Sequence, residues 1–263
     1  MKLLEQMTPE VAVNLKVLFT DIDDTLTTNG KLTSEAYAAL WSLKEAGVEV
    51  VPVTGRPAGW CDLIARQWPV AGVIGENGAL AFFLVDGKME RLYHPSIPEG
   101  DCKERLRAVE EAVLAEVPGS RVSADQFARL FDLAIDFCEE PPDLGLEGAE
   151  QIRAVFERMG AVAKVSSIHV NGWYGDYDKL SMVEYYCSAR RGVKLEEHSD
   201  EFLFCGDSPN DEPMFAYFPW SCGVANIRDF MPSLKATPTF VTNARGGEGF
   251  CELAERLLAL REG

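Results

Sequence analysis

Leu18-Phe19-Thr20-Asp21-Ile22-Asp23-Asp24-Thr25-Leu26 sets three carboxylates within four residues, directly after an apolar run. Val17 to Thr20 reads as a buried strand, so the acids fall at its carboxyl end, where open α/β sheets bind ligands. Like charges this close oppose one another's ionisation and call for a cation or a chemical use. An Asp-rich turn after a strand is also an ordinary solvated loop. Segments farther along the chain decide between the two.

Downstream, Thr33 or Ser34 can cap a helix running through Glu45, with Tyr37, Leu40, Trp41 and Leu43 toward one face and Gly47 closing it. Val48 to Val53 is a second β-branched strand, ending at Thr54-Gly55-Arg56-Pro57. A helix near Gly59 to Gln67 and a short strand, Gly72 to Gly75, complete a strand and helix alternation that predicts a parallel, doubly wound sheet. From Ala79 the rhythm changes. Leu80 to Val85, the turn Asp86-Gly87 and Met89 to Tyr93 read as a hairpin. Helices near Asp101 to Glu116 and Glu147 to Met159 then alternate with strands near Leu130 to Cys138 and Val162 to Asn171. After Tyr177 the first rhythm resumes: a helix from Lys179 to Arg190, a strand Phe202 to Cys205, and a helix opening at Ser208-Pro209. Strands near Ser221 to Val224 and Thr239 to Val241 extend the sheet, and Glu248 to Leu260 is a covering helix. The expected organisation is a core over 1–79 and 178–263, interrupted by an inserted α+β module over 80–177.

The 263 residues include 25 Lys and Arg against 42 Asp and Glu, a formal charge of -17. That balance argues against a nucleic-acid or anionic-membrane partner. It does not exclude a phosphorylated substrate, because screening over about 8 Å lets groups lining a site outweigh distant carboxylates. Seven cysteines, never in a Cys-x-x-Cys pair, point to neither a disulfide framework nor a zinc site and fit a reducing cytoplasm. The amino terminus lacks a secretory pattern, and no apolar run is long enough for a bilayer.

Four segments fall where core strands end or core helices begin: Asp21-x-Asp23-x-Thr25, Thr54-Gly55-Arg56, Lys179, and Gly206-Asp207-Ser208-Pro209-Asn210-Asp211. Together, in this order, they resemble the haloacid-dehalogenase-like hydrolase superfamily. The inserted module, with Glu76-Asn77-Gly78-Ala79 at its start, resembles the type IIB cap of Cof-like sugar phosphatases. The resemblance implies a Rossmann-like α/β core with an inserted α+β cap, and a Mg²⁺-dependent phosphatase acting on a small phosphorylated metabolite, a sugar phosphate foremost. It implies Asp21 as nucleophile and Asp23 as general acid and base. It implies Lys179 as the cation that offsets the nucleophile and the transferring phosphoryl group. Asp21, Asp207 and the backbone carbonyl of Asp23 would bind the metal, with Asn210 and Asp211 behind them holding Lys179 and metal-bound water. Thr54 and Gly55 would bind the phosphoryl oxygens, as a strand-to-helix turn offers unpaired N–H groups to an anion. Asn77 joins the substrate-binding set by the same resemblance. Arg56 would brace the cap junction.

Substrate choice is expected in the cap, where His169, Asn171 and Trp173 share one parity on a strand entering Lys179. Two further functions stay open on the sequence: a phosphomutase of the phosphomannomutase type, and a metabolite-binding protein without turnover. The oligomeric state, the resting position of the cap and the particular metabolite are not encoded in the motifs.

Overall fold

The computed structural model describes residues 1–100, 102–166 and 168–262, with the side chains of all but Ser233 and Glu262. The chain opens with β1 (Lys2–Leu3), α1 (Pro9–Val13) and β2 (Val17–Thr20), followed by α2 (Ser34–Glu45), β3 (Glu49–Pro52), α3 (Ala58–Gln67) and β4 (Val73–Gly75). The hairpin β5 (Leu80–Val85) and β6 (Lys88–Tyr93) precedes α4 (Cys102–Glu116), β7 (Arg121–Val122), β8 (Asp132–Asp136), α5 (Gly145–Arg158), β9 (Val162–Val165) and β10 (His169–Trp173). Then come α6 (Lys179–Arg191), β11 (Phe202–Gly206), α7 (Glu212–Tyr217), β12 (Ser221–Gly223), β13 (Phe240–Val241) and α8 (Gly246–Glu262).

The main sheet is parallel, in the order β1-β13-β12-β11-β2-β3. Its strands are apolar on both faces because helices cover both. Leu18, Val50 and Leu203 pack on one side with residues of α2, α3 and α8, whereas Phe19, Val51 and Phe204 pack on the other with Met182, Tyr186 and Phe215 of α6 and α7. This is the doubly wound core expected from the alternation. β1 adds an edge strand beside β13 that the sequence pattern did not reveal.

The cap sheet, β7-β8-β10-β9, is antiparallel. Leu133, Ile135 and Val170 bury themselves with Leu106, Val109, Ile152 and Phe156 from α4 and α5, forming a separate apolar interior. The alternate positions Asp132, Asp136, His169 and Asn171 are polar yet buried, so the cap's other face is covered without being apolar. The hairpin packs with the core: Leu80 and Phe82 enter one core cluster, Ala81 and Phe83 the other. Its turn residues Asp86 and Gly87 have φ of 49° and 75°, the left-handed pair that Asp-Gly favours.

Three local expectations are corrected. The strand expected over 162–171 is two strands, β9 and β10, folded back on each other. Ser166 reverses the chain, its N–H donating to His169 O at 2.8 Å; Ser167 lies outside the described residues, as does Asp101 at the start of the expected helix. The helix expected at Ser208-Pro209 begins as a tight turn over Pro209–Asp211, with α7 following. Ser208 Oγ donates to Asn210 Oδ1 at 2.7 Å instead of capping a backbone amide.

Candidate active site

β2 and β11 are adjacent parallel strands, registered Thr20 against Cys205, and Asp21 N donates to Cys205 O at 2.9 Å. The residues that follow each strand therefore emerge side by side. Asp21 follows β2 and Asp207 follows β11, which brings together carboxylates separated by most of the chain. Gly206 has no Cβ, and one built there would overlap the Asp211 carboxylate. That space lets Asp211 Oδ2 accept from Asp207 N at 3.1 Å. One carboxylate oxygen from each of Asp21, Asp207 and Asp211 falls within 4.8 Å of the others.

Lys179 is the first residue of α6, where Asp178 caps the helix by accepting from Ser181 N at 2.8 Å. Gly78, at φ 107°, lies directly against the Asp178 carbonyl, where a Cβ would overlap. Placed so, Lys179 Nζ donates to Asp21 Oδ1 and to Asp211 Oδ1, both at 2.8 Å and both buried. Burial weakens the hold of Lys179 on its proton, but Asp21 and Asp211 outweigh this and keep it protonated well beyond the ordinary range. Burial pushes the Asp21 carboxyl up to about 7 against the pull of Lys179, with Asp211 and Asp23 adding repulsion. Asp207 is raised well above its ordinary value, by burial first and then by Asp21 and Asp211.

One ammonium thus faces three buried carboxylates, and the surplus negative charge is what a divalent cation would neutralise. All three donors are hard oxygens, which suits Mg²⁺. Thr25 Oγ1 donates to Asp207 Oδ1 at 3.2 Å, so this threonine supports the cluster. Asp24, at φ 56°, supports the loop through its backbone: its N–H donates to Thr27 Oγ1 at 3.2 Å and its carbonyl accepts from Asn226 at 2.7 Å.

Asp23 turns its carboxylate away from this trio to Arg56, which approaches with Nε at 3.0 Å from both oxygens and Nη2 at 2.7 Å from Oδ1. Thr54 is buried, and its Oγ1 accepts from Arg56 N at 3.0 Å, leaving the hydroxyl proton free to donate. Over these groups lies a cleft lined by Asp21, Asp23, Gly55, Arg56, Ser208 and Asn210 from the core and Ser166, Ile168, His169 and Asn171 from the cap. It encloses about 20 Å³, room for roughly one water molecule, so the cap is seated on the site.

The structure brings Asp21, Asp23, Gly55, His169, Asn171 and Asn210 into the cleft, with Lys179, Asp207 and Asp211 around Asp21. Asn77 and Trp173 line a second small cavity instead, together with Lys179 and Asn210. Asn77 Nδ2 points at Asp132 Oδ2, 3.4 Å away in the cap. Trp173, at the last position of β10, stacks on Tyr177 with ring centroids 5.6 Å apart and donates to its carbonyl at 3.2 Å. The parity that aims His169 and Asn171 at the cleft carries Trp173 into the linker leading back to the core. Asn210 accepts from Ser208, and Asp211 alone of that pair takes the lysine.

Sequence reasoning missed a buried polar junction between core and cap. Glu76 Oε1 accepts from Ala58 N and Leu130 N, both at 2.9 Å, and Oε2 from Phe131 N at 2.7 Å and Asp132 N at 3.3 Å. Arg129 Nη1 donates to Gly55 O at 2.9 Å and to both oxygens of Asp132 at 3.0 Å. Asn171 also donates to Asp132, at 3.0 Å. The one signal in the sequence was the pair Arg129 and Asp132, opposite charges flanking the start of an otherwise apolar strand.

Acids and a buried lysine at the carboxyl ends of a parallel sheet, roofed by an inserted α+β module, define an α/β enzyme with a carboxylate-centred site. A family model for haloacid dehalogenase-like hydrolases matches residues 18–117. A phosphoglycolate phosphatase from Pyrobaculum neutrophilum is 29% identical over 247 residues, 93% of this chain and 96% of that protein. The crystal structure of Thermoplasma acidophilum 0175 superposes with a TM-score of 0.69 at 21% identity, covering 93% of this chain and 98% of that one. A sugar phosphatase of haloacid dehalogenase subclass IIB superposes with a TM-score of 0.63 at 17% identity, covering 93% and 99%. Over residues 18–117 the chain is similar to the haloacid dehalogenase-like hydrolases, and the phosphatases it resembles over nearly its whole length support a phosphoric monoester hydrolase.

Proposed function

We propose that the protein removes phosphate from a small phosphorylated metabolite through a phospho-aspartate on Asp21, with Mg²⁺ as its cation. The observation that carries this reading is Lys179 Nζ, buried and shared at 2.8 Å between Asp21 and Asp211, beside Asp207. Asp21 attacks phosphorus, and Lys179 offsets charge on the nucleophile and the phosphoryl oxygens. The Thr54 hydroxyl and the Gly55 amide bind those oxygens. Asp23 protonates the leaving oxygen and then takes a proton from the water that hydrolyses the acyl phosphate. Asp21 and Asp207, with the backbone carbonyl of Asp23, would hold Mg²⁺, which supplies positive charge to the transferring phosphoryl group.

Two substrate classes follow from different observations. A sugar phosphate fits the resemblance to type IIB phosphatases. The basic groups Arg56 and His169 at the cleft, and relatives that act by name on phosphoglycolate, favour a phosphorylated acid of two or three carbons. We place the work of the enzyme in the cytosol, in keeping with scattered cysteines that suggest no disulfide framework; among the described residues no helix is long and apolar enough to cross a membrane. The core over 1–79 and 178–263 and the cap over 80–177 are the proposed units, with the hairpin through Tyr93 packing on the core side of that division.

A phosphate-release panel containing 2-phosphoglycolate and hexose phosphates, run with and without Mg²⁺, tests the reading. Release should require Mg²⁺ and vanish in Asp21→Asn. Persistent release from rigorously purified Asp21→Asn would overturn the mechanism, and conversion of mannose 1-phosphate to mannose 6-phosphate would assign a mutase instead.

A further inference from the structure

The guanidinium of Arg56 has two edges, and they face different parts of the protein. Nε and Nη2 grip Asp23 of the core, with Oδ1 accepting at 3.0 and 2.7 Å and Oδ2 only at 3.0 Å. Nη1 faces the cap, 3.5 Å from Asp125 Oδ2 and 3.7 Å from Glu139 Oε1. Trp60 lies under the plane, 4.4 Å from ring centre to guanidinium carbon. The cap carboxylates are themselves fixed. Asp125 accepts from Ser123 Oγ at 2.7 Å and from Arg129 Nη2 at 3.1 Å, and Glu139 Oε2 lies 2.7 Å from His169 Nε2. Arg56 is 6% exposed, so solvent screens its contact with Asp125 little, whereas Glu139, at 36%, is screened more.

We propose that Asp125 and Glu139 are positioning residues for the proton donor: seated, the cap fixes the outer edge of Arg56, and the inner edge then aims Asp23 at the leaving oxygen. The inference rests on the phosphatase reading above. A planar fork cannot turn one edge without turning the other, so cap closure and acid placement become one event. Oδ2, with its single longer contact, is the oxygen Arg56 engages less and leaves available toward the leaving oxygen. As the bond from Asp21 Oδ to phosphorus forms, the bond from phosphorus to the leaving oxygen breaks, and that oxygen takes the proton from Asp23. In the second half the Asp23 carboxylate takes a proton from water as its oxygen bonds to phosphorus and Asp21 departs. Phosphate leaves with Asp23 protonated again. Raising the cap withdraws Asp125 and Glu139, so an open enzyme holds a slack donor.

The test compares kcat/KM, which reports transfer to Asp21, for esters with poor and good leaving groups. The full chain is assayed with Mg²⁺ on 2-phosphoglycolate, β-glycerophosphate and p-nitrophenyl phosphate. The double variant Asp125→Asn/Glu139→Gln should lose about tenfold or more on the alkyl esters and under about threefold on the aryl ester, which needs no acid. In an Asp23→Asn background the same double change should cost nothing further. Arg56→Lys, which keeps the charge and loses the second edge, should reproduce the selective loss. A uniform loss on all esters, no loss on the alkyl esters, or an equal loss on top of Asp23→Asn would overturn the inference while leaving the phosphatase reading intact. A wild-type chain that releases phosphate from no ester would remove both.

Discussion

Glu76 offers the most direct test of the buried junction. Its carboxylate ties Ala58 at the start of α3 to Leu130, Phe131 and Asp132 of the cap, from a backbone at φ 46° that few non-glycine residues adopt. Burial pushes the carboxyl from 4.5 to about 7, Asp132 adds repulsion, and the N–H donors pull only partly back. Arg129 and the Cys61 thiol are the other titratable groups at this junction. Because the folded protein holds this proton more tightly than the unfolded chain, the associated stability is complete below pH 4.5 and is lost as pH rises through about 7. Between pH 5 and pH 8 that loss comes to about 2–3 kcal/mol for a group with no exposure. Glu76→Gln cannot titrate, yet its amide nitrogen faces donors and forfeits hydrogen bonds at about 1 kcal/mol or more each. Urea unfolding of both proteins at the two pH values should therefore show the variant less stable at pH 5 and recovering about 2–3 kcal/mol relative to wild type by pH 8. A deficit of the same size at both pH values would mean that the carboxylate is ionised throughout and that its four N–H donors, not its burial, decide its charge.

Gly206→Ala should leave the protein folded and lower turnover at least about tenfold, because the new methyl displaces Asp211 from Asp207 N and from Lys179; steady-state kinetics beside circular dichroism would check this. Gly78→Ala combines a positive φ with overlap at the Asp178 carbonyl and should cost about 2–4 kcal/mol, read as a fall in denaturation midpoint. Exhaustive chelation should abolish phosphate release and Mg²⁺ should restore it, with Zn²⁺ failing to substitute; activity that survives chelation would refute a cation at Asp21 and Asp207.

The core site was legible because its chemistry sits at strand ends. A parallel strand announces itself by a short apolar run, and whatever follows it lies at one edge of the sheet, so the amino-acid order alone groups Asp21, Thr54 and Asp207. Lys179 was legible only through the resemblance, by its order before Gly206-Asp207, since a lone lysine at a helix start is ordinarily solvated. Period-two parity also found His169 and Asn171. Parity also holds at Trp173, which stays in register with Asp132 and Val162, but one period farther along β10 it reaches Tyr177 and a second small cavity beside Lys179.

The junction was illegible for a different physical reason. Glu76 meets Leu130, Asn77 meets Asp132 and Arg129 meets Gly55 across separations of more than fifty residues, and no local pattern distinguishes a charged side chain that will be buried from one that will be solvated. Yet these contacts let a cap with a polar inner face be buried at all. Unpaired, Asp132 and Arg129 would be costly to take out of water. Paired across the interface, they tie their own solvation to the seated position of the cap. Lifting the cap would expose them together, so its seat on the core depends on the whole network and not on any single bond.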